Sequence, residues 1–271
     1  MPNSPVVISV PHAGRFYPPA LLAALRLPQA ALVALEDRHV DAVAAAAWKG
    51  EAMLVQQLGR AWIDLNRRED ERDSRVDDGA PPLGAAASAK LRSGLGLVPR
   101  RAAAGELWRR RFSNADICAR IEADYRPYHQ ALRDLLVATR ARWGIAVLID
   151  VHSMPPLGAG AARVVIGDRF GHAAAPRFTG RAEAVAVAAG HRTALNAPYA
   201  GGHILERHAD PAAGVHAIQL ELDRSLYLDA RFDQPGPGLA ATADLLRRTL
   251  DALAEEALDG LGTGVAQMAA E

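Results

Sequence analysis

The stretch that most constrains this chain is residues 145–153, IAVLIDVHS, an unbroken apolar run that stops at Asp150, His152 and Ser153. A strand covered on both faces needs no polar alternation, so this is the pattern of a buried parallel strand. Parallel strands in turn require crossover connections, usually helical ones that cover the sheet. In open α/β sheets, ligands gather at the carboxyl ends of the strands. An imidazole placed there, two residues beyond a carboxylate, suits a metal ligand, although ordinary packing explains many lone histidines.

The start of the chain repeats the arrangement. Residues 6–10, VVISV, form an apolar β-branched strand stopped by Pro11; His12 follows at its exit, and Gly14 permits a sharp turn. Further strands are expected at residues 52–56, 61–65, 163–167, 191–195 and 216–222. Helices are expected at 18–27, 36–48, 106–142 (with a break or kink at Pro127), 181–189 and 239–258. Strands alternate with helices and no internal repeat is visible. The expected architecture is therefore α/β: a single domain, residues 1–271, with a mixed, mostly parallel sheet flanked by helices. Residues 67–105 are rich in Gly, Pro, Ser and charge without a sustained period. A stretch that long is a lid or insertion, or else a disordered surface excursion, and the sequence weighs the two equally.

Charge and cysteine content narrow the partners. Lys+Arg and Asp+Glu both number 31, so the net charge is zero. That argues against nucleic acid held by counterion release and against an anionic membrane surface. Cys118 is the single cysteine, so no intrachain disulfide forms, which fits a reducing cytoplasm. No apolar run approaches the ~18 residues of a membrane span. The segment MPNSPVVISV lacks the basic-then-apolar pattern of a signal peptide.

Several residues carry chemistry. His12 and His152, with Asp37 or Asp41 from EDRHVD (36–41), make a His/carboxylate/His set, the usual protein ligands of a catalytic zinc that leaves a position for water. Acidic residues in a first helical turn are explained equally well by the helix dipole. In DLNR (64–67), the guanidinium of Arg67 beside the amide of Asn66 suits a bidentate grip on a carboxylate. Pairing of Arg67 with Glu69, Asp70 or Asp73 is the competing explanation. In HAIQLEL (216–222), period-two alternation places Gln219 and Glu221 on one face. A strand-end glutamate at a cleft suits a general base acting on water; a salt-bridged edge residue would look the same. The turn NAPYAGG (196–202) offers Tyr199 for closure over a substrate or for packing, and its glycines bring His203 toward a cleft. Asp150 or a backbone carbonyl would orient a ligand imidazole. No P-loop, dinucleotide fingerprint, paired-cysteine motif or nucleophile elbow is present.

Taken in order, VVISVPHAG (6–14), EDRHVD (36–41), GRAWIDLNR (59–67), YRPYHQAL (125–132), LIDVHSMPP (148–156), VVIGD (164–168), NAPYAGGHI (196–204) and HAIQLELDRSLY (216–227) resemble the N-formylglutamate amidohydrolase family. The resemblance implies a phosphorylase/hydrolase-like fold of the zinc-exopeptidase type and a metal-dependent hydrolase of N-acyl amino acids. It implies His12, Asp37 and His152 as ligands of one Zn2+ or another divalent ion, and Glu221 as the catalytic carboxylate. Arg60, Asn66 and Arg67 would bind the carboxylate of a small-molecule substrate. Two positions depart from the family pattern: Ala13 stands where a serine is more usual, and His203 where an aromatic residue often follows the paired glycines. A hydrolase of another N-acyl amino acid or short peptide, or a binding protein on the same scaffold, are the alternatives.

Overall fold

A computed structural model describes residues 2–85 and 87–268 of the chain. In order, these form β1 (Val6–Val10), α1 (Pro19–Ala24), α2 (Val40–Ala47), β2 (Ala52–Val55), α3 (Ala89–Arg92), β3 (Arg101–Ala102), β4 (Gly105–Glu106), α4 (Asn114–Arg120), α5 (Arg126–Trp143), β5 (Ala146–Met154), β6 (Val164–Gly167), α6 (Pro176–Ala188), β7 (Thr193–Leu195), α7 (His203–His208), β8 (Val215–Asp223) and α8 (Leu239–Met268). They divide into two compact units that interleave in sequence. The first comprises Met1–Val10, His39–Leu54 and Leu132–Glu271; the second comprises Pro11–Arg38 and Val55–Ala131.

The first unit is built on a mixed, mostly parallel sheet of order β2-β1-β5-β8-β6-β7. β5 pairs parallel with β1 and β8, β6 runs antiparallel to β8, and β7 parallel to β6. All nine residues of β5 are buried, as the unbroken apolar run requires. Helices α2 and α8 pack on each other and on β5, and α6 packs on α8. Each fully buried Val, Leu or Ile contributes about 1.5–3 kcal/mol over exposure. A one-residue slip of β5 would carry Asp150 and His152 to the opposite face, so burial also fixes the register on which the site depends.

The second unit holds the segments least legible in sequence. Residues 61–65 are a turn rather than the expected strand. Its apolar residues Ala61, Ile63 and Leu65 are nevertheless buried, so their spacing reflected the core of this unit and not a pleat. The expected helix at 36–48 is confined to Val40–Ala47, so Glu36 and Asp37 lie ahead of it while Asp41 occupies its first turn. The expected helix at 106–142 begins only at Asn114, behind a capping box in which Ser113 and Asp116 satisfy each other's backbone amides. Pro127 does not break the helix. One turn of wider helix, Ile121–Tyr125, precedes it and absorbs the missing amide hydrogen bond.

Described residues in the range 67–105 contribute to the core of this unit. Val76, Leu91, Leu97 and Val98 are buried, and Leu97 N donates to Glu71 O at 2.7 Å. Arg100 donates to Asp73 at 2.9 Å, and Arg72 grips Asp77 with two hydrogen bonds. Among the described residues, no helix is long and apolar enough to cross a membrane.

Candidate active site

In the second unit the chain leaves the β1 exit through His12, whose carbonyl accepts from Asp37 N at 2.9 Å. This backbone bond sets the two side chains beside each other, with His12 Nδ1 3.6 Å from Asp37 Oδ2. The other ring nitrogen, Nε2, donates to Asp64 Oδ1 at 2.8 Å. Asp64 is fully buried and also accepts from Asn66 N and from Arg60 Nε, both at 2.9 Å, with Arg67 Nε 3.7 Å away. Burial alone would raise its pKa. The guanidinium groups of Arg60 and Arg67 and the His12 ring outweigh it and hold the carboxyl well below the usual range, so Asp64 is ionised. Asp64 takes the Nε2 side of the ring and leaves Nδ1 on the side of Asp37, the arrangement in which a carboxylate backs a metal-binding imidazole.

The DLNR turn is braced from behind. Arg67 Nη1 donates to Asn66 O at 2.6 Å and its Nε to Leu95 O at 2.8 Å. Burial pulls the Arg67 pKa down from its ordinary value, against the opposing charge of Asp64. Tyr125 hydroxyl donates to Arg67 O at 2.7 Å, and His129 Nε2 donates to Leu65 O at 3.0 Å. His129 is wholly buried and holds this turn, a role that nothing in its local sequence singled out. Ahead of Asp37, Tyr17 hydroxyl donates to Glu36 Oε1 at 2.5 Å. Burial, and then Glu36 itself, raises the phenol's pKa and keeps it a donor.

In the first unit, the pairing His152↔Glu221 and Asp150↔Gln219 puts these four side chains on one face of the sheet. His152 Nε2 donates to Asp150 Oδ2 at 2.7 Å, and the other Asp150 oxygen accepts from Ser9 hydroxyl at 2.6 Å. His152 is therefore backed as His12 is, by a buried carboxylate on Nε2. Gln219 Nε2 donates to Glu221 Oε1 at 2.8 Å and so aims the carboxylate one pleat further along β8. Beyond the strand, Arg224 Nε donates to Ser153 hydroxyl at 3.1 Å.

The turn carrying Tyr199 and His203 is pinned to the end of β6. Asn196 Nδ2 donates to Asp168 Oδ1 at 2.8 Å, and Asp168 N donates to Asn196 Oδ1 at 3.0 Å. Backbone of this turn approaches so closely that a Cβ on Gly167 would lie 2.6 Å from the Ala200 carbonyl carbon. Only glycine admits that approach. Gly201 adopts φ +103°, and His203 opens α7 with Nδ1 3.1 Å from Glu206 Oε2.

His12 and Asp37 in the second unit, and His152 in the first, each carry an atom able to ligate a metal ion. Asp41 is not in this group; it sits in the first turn of α2, where a carboxylate favours the helix dipole. The donor set, two imidazoles and a carboxylate with both rings buttressed by buried acids, fits a divalent cation such as zinc. Asp64 and Ser9 are the residues that sequence reasoning passed over. Asp64 stands inside the quoted DLNR motif, where its aspartate was the available signal.

Comparison with known proteins gives the family. Residues 4–228 match the family described as N-formylglutamate amidohydrolase. A curated N-formylglutamate deformylase of Pseudomonas aeruginosa is 31% identical over 261 residues, covering 92% of each chain. Another from Pseudomonas putida is 32% identical over 235 residues, covering 83% of this chain and 82% of that protein. The crystal structure of an N-formylglutamate amidohydrolase from Ralstonia eutropha superposes with a TM-score of 0.86 at 29% identity, covering 95% of both chains. The chain is a member of the N-formylglutamate amidohydrolase family.

Proposed function

We propose that this protein hydrolyses the formamide bond of N-formyl-L-glutamate to give glutamate and formate. The observation that carries the reading is the pair of imidazoles, His12 and His152, each fixed through Nε2 by a buried carboxylate. The kinship to deformylases of the two Pseudomonas species supports the choice of substrate.

His12, Asp37 and His152 hold the cation in this proposal. Zinc or another divalent ion held there would supply Lewis acidity, lowering the pKa of a water toward ~7 and polarising a carbonyl. Glu221, positioned by Gln219, takes the proton from the attacking water and delivers it to the nitrogen of the departing glutamate. Arg67 and Asn66 grip a substrate carboxylate. Arg60, already on Asp64, adds positive charge to the same turn. Orientation of this kind matters because a bound amide held near the attacking water no longer has to find it by diffusion. Tyr199 and His203, on the turn pinned to β6, close over the substrate. Ser153 and Arg224 steady the end of β5 beside His152.

The test combines metal analysis of the purified protein with an assay of formate release from N-formyl-L-glutamate. The expected result is about one equivalent of divalent metal per chain and turnover that a chelator abolishes and added zinc restores. Turnover unaffected by complete removal of metal would refute the metal-dependent reading. Absence of formate release by the metal-loaded protein, with release of amine from other N-acyl amino acids, would refute the choice of substrate.

A further inference from the structure

A second recess lies in the first unit, away from the residues just described. It is a cavity of about 380 Å³ between the last turns of α5, the end of α7 and the beginning of β8. Ligand pockets span roughly 300–1,000 Å³, so this one has room for a small metabolite. Val215 at its wall opens β8, and Glu221 lies six residues further on; at ~3.3 Å per strand residue the two are about 20 Å apart. The cavity therefore faces the opposite end of the strand from Glu221.

Its lining combines two kinds of surface. Arg133, Arg140 and Arg207 contribute three guanidinium groups, and His208 lies buried beside them. Among the described residues no carboxylate pairs with any of the three arginines. Arginines elsewhere in the first unit do find acids: Arg247 on Glu51 and Asp251, Arg163 on Asp223 and Arg181 on Glu255. The His208 ring registers the local positive field. Burial first, then Arg207 and Arg133, push its pKa down to about 4 against the opposing charge of Asp150, so it is neutral at physiological pH. Between the charges run the side chains of Leu136, Val137 and Val215, and Val137 is 62% exposed.

Three unpaired planar forks around an apolar floor are a recognition surface for a specific chemistry. Guanidinium groups bind carboxylate and phosphate oxygens in pairs, and a short hydrocarbon stem covers the exposed Val137. We propose that this cavity binds a small organic anion, bearing a carboxylate or a phosphate on a short apolar stem, at a site separate from the one that binds substrate.

Isothermal titration of the full chain with glutarate, glycerol 3-phosphate, inorganic phosphate and the neutral glutaramide tests this. The expected result is saturable binding of one of the two organic anions. Each of Arg140→Gln and Arg207→Gln, both at exposed positions, weakens it roughly tenfold, as loss of a charge-assisted pair predicts. Arg67→Ala, in the other unit, leaves it unchanged. Preference for glutarate identifies a carboxylate head group, and preference for glycerol 3-phosphate a phosphate. The proposal is overturned if neither organic anion binds, or if binding ignores the Arg140 and Arg207 changes. It is equally overturned if binding is lost with Arg67→Ala, if glutaramide binds as well, or if inorganic phosphate matches the organic anions, which would mean an adventitious ion only.

Discussion

Asp64→Asn isolates the residue on which the second unit's half of the site rests. Asp64 accepts from His12 at 2.8 Å and from Arg60 and the Asn66 amide at 2.9 Å, with no exposure to solvent. An asparagine keeps one acceptor oxygen of the same shape and replaces the other with an NH2 donor. If the oxygen stays on His12, the new donor faces Arg60; if it turns to Arg60, His12 loses the acceptor that fixes its tautomer. Either way Arg60 and Arg67 lose their buried counter-charge. Removing one partner of a buried pair costs ~3–5 kcal/mol, and the part-exposed Arg60 places this case near 3. At roughly 2–4 °C per kcal/mol the melting temperature falls by about 6–12 °C. Loss of a buttressing carboxylate behind a ligand histidine weakens metal affinity by about 10–100-fold.

Two assays read this: thermal unfolding, and competition for zinc against a chromophoric chelator, neither of which depends on turnover. The pH dependence follows from the depressed pKa. A carboxyl lowered in the folded state contributes fully above its unfolded pKa of ~3.9, and the contribution disappears as pH falls through the folded value. The deficit of the variant is therefore largest at neutral pH and shrinks in acid. A variant with unchanged zinc affinity at pH 7, or one whose instability grows on acidification, refutes the assignment of Asp64 as an ionised buttress.

Other outcomes follow from the same geometry. Glu221→Gln retains metal but loses about 10²–10⁴ in kcat, as removal of a general base predicts; wild-type turnover rules out that role. Arg67→Ala raises KM for N-formylglutamate more than for an N-formyl amine without a carboxylate, and an equal loss on both counts against the grip. His208, with a pKa pushed down to about 4, stays neutral in the folded protein while the unfolded chain takes up a proton below ~6.5. Stability should therefore decline as pH falls from 6.5 toward 4, by up to about 3 kcal/mol, and His208→Gln should flatten that limb in unfolding titrations. An unchanged slope in the variant would show that other groups govern it.

The sequence by itself determined the framework. The unbroken apolar runs of β1 and β5 and the alternation of β8 have no stable home except inside a covered sheet, and that placed His12, His152 and Glu221 at or beyond strand ends. Local pattern suffices there because burial depends on side chains a few residues apart. It failed at residues 61–65, where apolar spacing matched a strand but the chain turns, and over 67–105, where elements of two to four residues have too little period to register. Those segments are held by partners far away in the chain: Leu97 donates to Glu71, Arg100 reaches Asp73, and His129 clasps Leu65 across 64 residues. Only the tertiary structure put Asp37 beside His12 and Asp41 in the first turn of α2. The sequence offered Asp150 behind an imidazole, but only the tertiary structure brought Asp64 behind His12, because hydrogen bonding is decided by distance in space and a sequence records only distance along the chain.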